Sequence, residues 1–231
     1  MTMEESTSAL RPSQRLRVAY LLSVVGGFLD AYTFFERGGV FANAQTGNIV
    51  RLGIALANGT RDRYLFFLIP VCTFGLGIAV SLVIEGLLER RGIRLVRRCV
   101  LGVEIAVLAI VAFLPLADEW NMLANCLVTF VSALQFETFR TFHGKAINTM
   151  MSTGNLKKFV ENLYSGIADH DRAKLRSAGI FITVLIAFTL GAFLGTRTCD
   201  HLNKAAVVPA ISLLAVTIAT ITALHRSNTC V

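Results

Sequence analysis

Long apolar stretches separated by short polar segments dominate the pattern of hydrophobic and polar positions along the chain. About 20 apolar residues cross a bilayer as one helix, because each residue rises about 1.5 Å and the hydrocarbon core is about 30 Å thick. The pattern therefore predicts an all-α membrane protein with about six transmembrane helices. They cover roughly Arg17–Phe35, Tyr64–Leu88, Cys99–Leu116, Asn121–Phe139, Ala178–Gly195 and Ala205–Leu224.

The charged residues support this prediction and orient the spans. Only 16% of the residues are charged, against about 25% in soluble proteins. Of the 22 Lys and Arg residues, 16 fall on one side of the predicted spans, at residues 11–17, 90–98, 140–176 and 226. Because basic loops stay in the cytoplasm, both termini are predicted to be cytoplasmic. The net charge of +7 thus marks topology and contact with the lipid bilayer, and no nucleic-acid partner is expected.

The tripeptide Thr-Gly-Asn occurs twice, at residues 46–48 and 153–155. When the second copy is aligned on the first, Arg51 corresponds to Lys158, and we call this correspondence the repeat alignment. Each copy follows one predicted span and precedes two more. The pattern predicts that the chain consists of two repeats of three spans each.

An odd number of spans in each repeat means that the two repeats enter the membrane from opposite sides. Inverted repeats of this kind occur in secondary transporters, whose binding sites lie near the bilayer midplane, and also in channels. The predicted organisation is a mobile cytoplasmic tail (1–16), a first repeat (17–117), a second repeat (118–225) and a cytoplasmic C-terminal tail (226–231).

Each copy of Thr-Gly-Asn is predicted to begin a short helix at a break in the spanning pattern. After the first copy, the apolar run Ile49–Ala57 covers only about nine residues, which is too short to cross a bilayer. Thr46 or Asn48 can cap such a helix, and two helix N-termini entering from opposite faces would form a polar site that favours an anion. The alternative is a tight turn at the membrane surface, which the amphipathic segment Asn155–Ile167 favours for the second copy.

Polar side chains inside the predicted spans are the next candidates, because charge inside a membrane is expensive and usually functional. Asp30 lies well inside the first span, and we hypothesise that it binds a coupling proton or cation. The alternative is a structural hydrogen bond between helices. Two helical faces carry polar or small residues: Ser23, Gly27, Asp30 and Thr33 on the first span, and Asn125, Thr129, Ser132 and Gln135 on the fourth.

Other residues in the spans have simpler interpretations. Glu137 corresponds to Asp30 in the repeat alignment, but Arg140 lies three residues away and can pair with it. Glu104 is expected to snorkel or to bond to a neighbour. Small residues are interpreted as helix-packing contacts, namely Gly75, Gly77, Gly191 and Gly195.

The sequence offers no pattern for metal, cofactor or covalent chemistry. The five cysteines and four histidines show no metal-ligand or redox spacing. No Gly-rich phosphate loop is present, and no nucleophile stands beside a base. We therefore predict that the protein is not an enzyme and has neither a cofactor nor a metal site.

The stretch Gly27-Phe28-Leu29-Asp30-Ala31, followed by Val40-Phe41 and Thr46-Gly47-Asn48, resembles the signature of the YoaK-type family of uncharacterised multipass bacterial membrane proteins. Thr149 and Ser152–Leu156 in the second half also fit. The resemblance covers residues 16–225 and implies a bacterial inner-membrane protein with about six spans and no known activity. The fourth span departs from the family pattern and keeps only Gln135 of its polar stretch.

These observations predict a small secondary transporter or permease for an unidentified small solute, with an anion favoured. A passive channel and a non-transporting scaffold or sensor are the alternatives, and homo-oligomerisation stays open. Asp30 is the predicted coupling residue. The predicted solute-binding residues are Thr46, Gly47, Asn48, Thr153, Gly154, Asn155 and Gln135.

Overall fold

The computed structural model describes residues 16–90 and 96–229. Most of the predicted N-terminal tail (1–16) lies outside these residues, as do residues 230 and 231 of the predicted C-terminal tail. The basic loop between the second and third predicted spans also falls partly outside them, including Arg91 and Arg94.

Long helices account for most of the described residues. They are α1 (Leu16–Glu36), α3 (Arg61–Arg90), α4 (Val96–Phe113), α5 (Asp118–Thr138), α7 (Arg172–Leu202) and α8 (Val208–Thr229). Two shorter helices, α2 (Gln45–Ala57) and α6 (Thr153–Ala168), begin at or beside the two Thr-Gly-Asn copies. Strands β1 (Thr141–Phe142) and β2 (Lys145–Ala146) form a small antiparallel hairpin before α6, and a 3-10 helix (Asn203–Val207) joins α7 to α8.

Local sequence signals explain several of these boundaries. The Asp171 carboxylate accepts hydrogen bonds from the backbone N–H groups of Ala173 and Lys174, at 2.8 and 3.2 Å, and so caps the first turn of α7. Helix α2 ends just before Gly59, whose φ of 67° suits glycine. Pro70 lies inside α3.

Four stretches are long and apolar enough to cross a membrane: Leu16–Glu36, Arg63–Leu87, Arg172–Leu202 and Ala205–Leu224. They coincide with the first, second, fifth and sixth predicted spans. Helices α4 and α5 occupy the positions of the third and fourth predicted spans but are not in this set. Helix α4 carries Arg97, Arg98 and Glu104 in 18 residues, and one face of α5 is polar.

Helix α1 lies in the interior of the molecule. It is 72% buried, whereas the three other apolar spans are 28% buried and present large apolar side chains outwards. Helix α1 packs against α7 and α8, and α5 packs against α3 and α4. Helices α2 and α6 rest on α3 and α7, respectively. Helix α1 of the first half thus packs on α7 of the second, and α5 of the second half on α3 of the first.

Glycines permit the closest helix contact, between α1 and α7. A Cβ atom on Gly27 would collide with the carbonyl of Phe188, and one on Gly191 with the carbonyl of Val24. The predicted packing role is confirmed for Gly77, Gly191 and Gly195, which approach other helices closely. The prediction was wrong for Gly75, because no heavy atom lies within 4 Å of the position of its Cβ.

Candidate functional site

Asn48 connects the start of α2 to the segment that precedes it. Its Oδ1 accepts a hydrogen bond from the backbone N–H of Phe41 at 3.0 Å, and its Nδ2 donates to the Phe41 carbonyl at 2.7 Å. Nδ2 also donates to Gln45 Oε1 at 2.9 Å. The side chain is fully buried. Asn48 therefore fixes an irregular backbone segment whose polar groups would otherwise lack partners.

Asn155 makes the corresponding contacts at the start of α6. Its Oδ1 accepts from the backbone N–H of Asn148 at 3.1 Å, and its Nδ2 donates to the carbonyls of Asn148 and Met151. Asn148 corresponds to Phe41 in the repeat alignment, just as Asn155 corresponds to Asn48. The two copies thus share a local structure as well as a sequence.

A basic side chain one turn further along each helix repeats this correspondence. Arg51 Nη1 donates to the carbonyl of Gly39, and Lys158 Nζ donates to the carbonyl of Ala146. Both the donors and the acceptors again correspond in the repeat alignment. Each short helix is therefore tied by two side chains to the loop that precedes it.

The other residues of the two tripeptides lie on the outside of the molecule. Thr46, Thr153 and Gly154 are exposed, and Gly47 packs against the Phe41 ring. We predicted that Thr46 or Asn48 would cap α2 by binding its N–H groups. Instead, the Asn48 side chain binds backbone seven residues earlier, and no side-chain cap hydrogen bond forms at the Ala44 N-cap.

The segments before the two short helices meet at Gly26 of α1. Asn43 Nδ2 donates to the Gly26 carbonyl at 2.8 Å. From the second half, Met150 lies so close that a Cβ on Gly26 would be 3.0 Å from its Sδ and would collide with the Thr149 carbonyl. Asn43 and Met150 also correspond in the repeat alignment. We call this meeting point, formed by Gly26, Asn43, Thr149 and Met150, the loop junction.

Asp30 and Gln135 both bind to the loop junction. Asp30 Oδ1 accepts the backbone N–H of Asn43 at 2.7 Å, so this carboxylate holds the first segment in place. On α5, the Gln135 amide lies 3.5 Å from Thr149 Oγ1 and 3.6 Å from Met150 Sδ. Both side chains are buried. Of the predicted site residues, these two lie nearest to where the halves meet.

Glu104 of α4 lies on the other side of Gln135. In the amide orientation that satisfies both groups, Gln135 Nε2 donates to Glu104 Oε2 at 2.9 Å and to Oε1 at 3.2 Å. Glu104 is fully buried. The sequence predicted that Glu104 would either snorkel or bond to a neighbour, and the structure shows the second outcome, with Gln135 as the neighbour.

Arg37 follows the first predicted span, where a loop is expected, yet its side chain is fully buried. Its guanidinium donates to Tyr32 Oη at 3.0 Å and to the carbonyls of Val111, Leu114 and Pro115 at 2.7–3.3 Å. These carbonyls end α4, where the helix dipole favours a cation. Arg37 therefore connects the end of α1 to the end of α4 through these hydrogen bonds.

A surface cavity of about 360 Å³ opens where α2 ends and α3 begins. Its polar lining comes from Arg51, Asn58, Thr60 and Arg63, and Phe67 supplies part of the apolar wall. Two arginines make its electrostatic character positive, and such a cavity favours an anion.

The sequence alone missed the residues that build the loop junction. Asn43 is a polar residue in an apolar context five residues before Asn48, and this isolated polarity was the sequence feature that could have identified it. Thr149 entered only through the family resemblance, and Met150 looks like an ordinary core residue. Among residues 16–90 and 96–229, no group of three His, Cys, Asp or Glu residues is arranged to hold a metal.

Long apolar helices around a buried polar junction define a helical protein of the membrane type. A family model described as a protein of unknown function (DUF1275) matches residues 18–219, which is most of the chain. The protein therefore belongs to the DUF1275 family. No curated protein and no solved structure matches the chain.

Proposed function

We propose that the protein is a small secondary transporter or permease for a small solute in the bacterial inner membrane. In this proposal α4 and α5 also cross the bilayer, which gives six spans with both termini in the cytoplasm. The two halves then form an inverted repeat, in accordance with the YoaK-type resemblance. Support comes from the paired contacts of Asn48 and Asn155, and from the reciprocal packing of α1 on α7 and α5 on α3.

The loop junction is the observation that carries the proposal. Irregular backbone inside a membrane is tolerated only where protein or a water-filled cavity satisfies it. Here one segment from each half reaches Gly26, and transporters with inverted repeats bind their substrates at such broken segments near the midplane. The short helices α2 and α6 position these segments through Asn48 and Asn155, the asparagines of the two tripeptides. Asn43 has a buried Oδ1 without a partner among the described residues; as an acceptor, this oxygen would bind an O–H or N–H group of the solute.

An anionic solute fits the surroundings best. Helices α2 and α6 begin close to the junction, and their N-terminal N–H groups favour negative charge. The cavity with Arg51 and Arg63 would attract anions towards the first half. Asp30, which binds the N–H of Asn43, would couple proton or cation binding to the position of the first segment.

Transport can be tested before the solute is identified. Purified protein in liposomes is exposed to an extract of small water-soluble metabolites, separated into anionic, cationic and neutral fractions. We expect the anionic fraction to produce a saturable transient current on a solid-supported membrane and to raise the midpoint of thermal unfolding. Asn43→Ala should weaken both responses about tenfold. Asn162→Ala on α6, whose side chain donates to the Lys158 carbonyl of its own helix and lines neither the loop junction nor the cavity, is the matched control.

Each other outcome of this experiment contradicts part of the proposal. Flux that does not saturate would indicate a passive channel. Absence of both current and thermal stabilisation with every fraction would favour the scaffold or sensor alternative. A response that Asn43→Ala leaves unchanged would place the site away from the loop junction.

The inverted topology has its own test. In a cysteine-free variant, Asn58→Cys after α2 should react with a membrane-impermeant thiol reagent added outside. Asp169→Cys after α6 should react only when the reagent reaches the cytoplasmic side. Reaction of both cysteines from the same side would rule out the inverted repeat.

A further inference from the structure

Helix α5 has a continuous polar face that the proposed solute site uses only at one end. Its residues are spaced by three or four positions and therefore lie on one side of the helix. All are buried: Asn121, Asn125, Thr129, Ser132 and Gln135. At about 1.5 Å per residue the face extends over about 20 Å, which is most of the thickness of a bilayer core.

Four polar atoms along this face lack partners among the described residues. They are Oδ1 of Asn121, Oδ1 of Asn125, Oγ1 of Thr129 and Oγ of Ser132. The behaviour of the two hydroxyls differs from that of Ser23, Thr33 and Thr217, whose hydroxyls donate to a carbonyl four residues earlier in their own helix. A buried polar atom without a protein partner is commonly satisfied by an internal water molecule. Four such atoms on one face indicate a row of water sites.

Contacts at the two ends show where this face points. Near one end, Asn125 Nδ2 donates to the carbonyl of Arg37 at 2.8 Å, and the Arg37 guanidinium binds the end of α4. At the other end, Gln135 binds Glu104 of α4. Thr129 and Ser132 lie between these two contacts and so face the space that α5 shares with α4 and α1.

Glu104 lies at the inner end of the polar face and forms no ion pair with any of the described residues. On α4, Arg97 is two turns away and its Nε donates to the Thr138 carbonyl at 3.4 Å. On α5, Glu137 is paired with Arg140. Helix α8, which packs against α4, contains no acidic or basic residue up to residue 224. The buried acid on α1 is Asp30.

A carboxylate in this position is unfavourable without a compensating cation. One amide is a weak substitute, and Gln135 donates to both carboxylate oxygens with a single NH₂ group. Binding one proton converts the carboxylate to a neutral carboxyl group and removes the excess charge. Water along α5 could deliver that proton, since the four unpartnered atoms lead from the Arg37 end of the helix to Gln135.

We propose that the polar face of α5 is a hydrated proton path that ends at Glu104, and that Glu104 binds and releases the coupling proton together with Asp30. The coupling of this proton to transport rests on the proposed function, whereas the hydrated path and the titration of Glu104 do not depend on it. Gln135 connects the two sites, because in the orientation in which its NH₂ group donates to Glu104 its carbonyl oxygen faces the Thr149 hydroxyl of the loop junction. Protonation of Glu104 would weaken its bond with the Gln135 amide and change the support of the second segment.

The hydrated path is tested by cysteine accessibility on adjacent positions of α5. Ser132 and Ala133 are both fully buried, but Ala133 faces Gly77 of α3. In a cysteine-free full-length variant in liposomes, Ser132→Cys and Thr129→Cys should react with a small hydrophilic thiosulfonate at least about tenfold faster than Ala133→Cys. Equal rates at Ser132→Cys and Ala133→Cys would overturn the path.

The role of Glu104 is tested by infrared difference spectroscopy of the lipid-embedded protein between acid and alkaline pH. We expect a carboxyl band that Glu104→Gln removes, that Glu104→Asp retains at a shifted position, and that Glu137→Gln leaves unchanged. A spectrum that Glu104→Gln does not alter would overturn the proposal. This readout needs no solute, so failure of the transport experiment would not contradict the titration of Glu104. Absence of the Glu104 band would likewise not contradict transport of the solute.

Discussion

The two halves of the protein share a framework but differ in the side chains that fill it. In both, an asparagine binds the backbone seven residues earlier and a basic residue binds a carbonyl twelve residues earlier. The acids differ. Asp30 binds the backbone N–H of Asn43, whereas its counterpart Glu137, which is also buried, pairs with the exposed Arg140 at 2.9 Å.

This difference distinguishes the contacts that maintain the fold from the residues that are available for function. The repeated contacts satisfy backbone groups and are needed in each half. The contacts that occur only once gather in the interior: Asp30 and Glu104 belong to the first half, and Gln135 to the second. Arg37 is likewise unique, since its counterpart in the repeat alignment is Gly144. Corresponding backbone contacts in the two halves, with different residues in the interior, are in accordance with the proposed site for one solute and one coupling ion.

The largest expected effect comes from removing the shared asparagines. Asn48→Ala and Asn155→Ala each break at least two buried hydrogen bonds to the backbone, so each should lower the free energy of unfolding by about 2–4 kcal/mol. Unfolding in mixed detergent micelles measures this loss. Thr46→Ala and Thr153→Ala, at the exposed neighbours, should change it by less than about 0.5 kcal/mol. A loss in only one half would show that the two frameworks are not equivalent.

The next effect concerns the reciprocal helix packing. Gly191→Ala on α7 and Gly77→Ala on α3 place a methyl group against the backbone of α1 and α5, respectively. Both should destabilise the protein by about 1–3 kcal/mol, because tightly packed helices must separate. Gly75→Ala, whose methyl group meets open space, should be neutral or slightly stabilising. Thermal unfolding in detergent distinguishes the three variants.

The sequence predicted the helices well because their signal is local. Each long helix overlaps a predicted span, since apolar length is readable from composition alone. The short helices were also expected, although α2 begins at Gln45, four residues before the apolar run at Ile49. The membrane-spanning criterion of length, hydropathy and charge singles out four of the six predicted spans. Helix α4 carries three charged residues, Arg97, Arg98 and Glu104, and the buried polar face of α5 lowers its hydropathy.

The site was less accessible to sequence reasoning because its contacts are long-range. The tripeptides lie beside the segments that form the loop junction, but the residues that approach Gly26 are Asn43, Thr149 and Met150, outside the tripeptides. Glu104 and Gln135 lie on neighbouring helices, and no local sequence pattern joins them. Burial of Arg37 depends on the end of α4, which is distant in the sequence from α1.

A smaller effect on stability is expected for the two acids, and an effect on transport is expected for Asp30 but not for Glu137. Asp30→Asn keeps an acceptor for the Asn43 N–H but loses the charge-assisted part of the bond, about 1 kcal/mol. If Asp30 couples transport, this variant should lose the pH dependence of uptake in proteoliposomes. Glu137→Gln loses an ion pair with the exposed Arg140, which keeps Glu85 as a second partner, and should change stability by less than about 1 kcal/mol, with uptake unaffected. Unchanged pH dependence in Asp30→Asn would remove Asp30 from coupling.

The smallest effect should come from exchanging the two basic residues that bind the loops. Arg51 Cζ lies 4.8–5.8 Å from the rings of Phe34, Phe41 and Phe67, whereas Lys158 Nζ lies over Phe181 alone, at 5.6 Å. Arg51→Lys should therefore lower stability by about 0.5–1 kcal/mol, because the planar guanidinium stacks on several rings and an ammonium does not. Lys158→Arg should be nearly neutral. Equal losses in thermal unfolding would mean that the aromatic surroundings of Arg51 do not stabilise the first half, and that both cations act only through their carbonyl contacts.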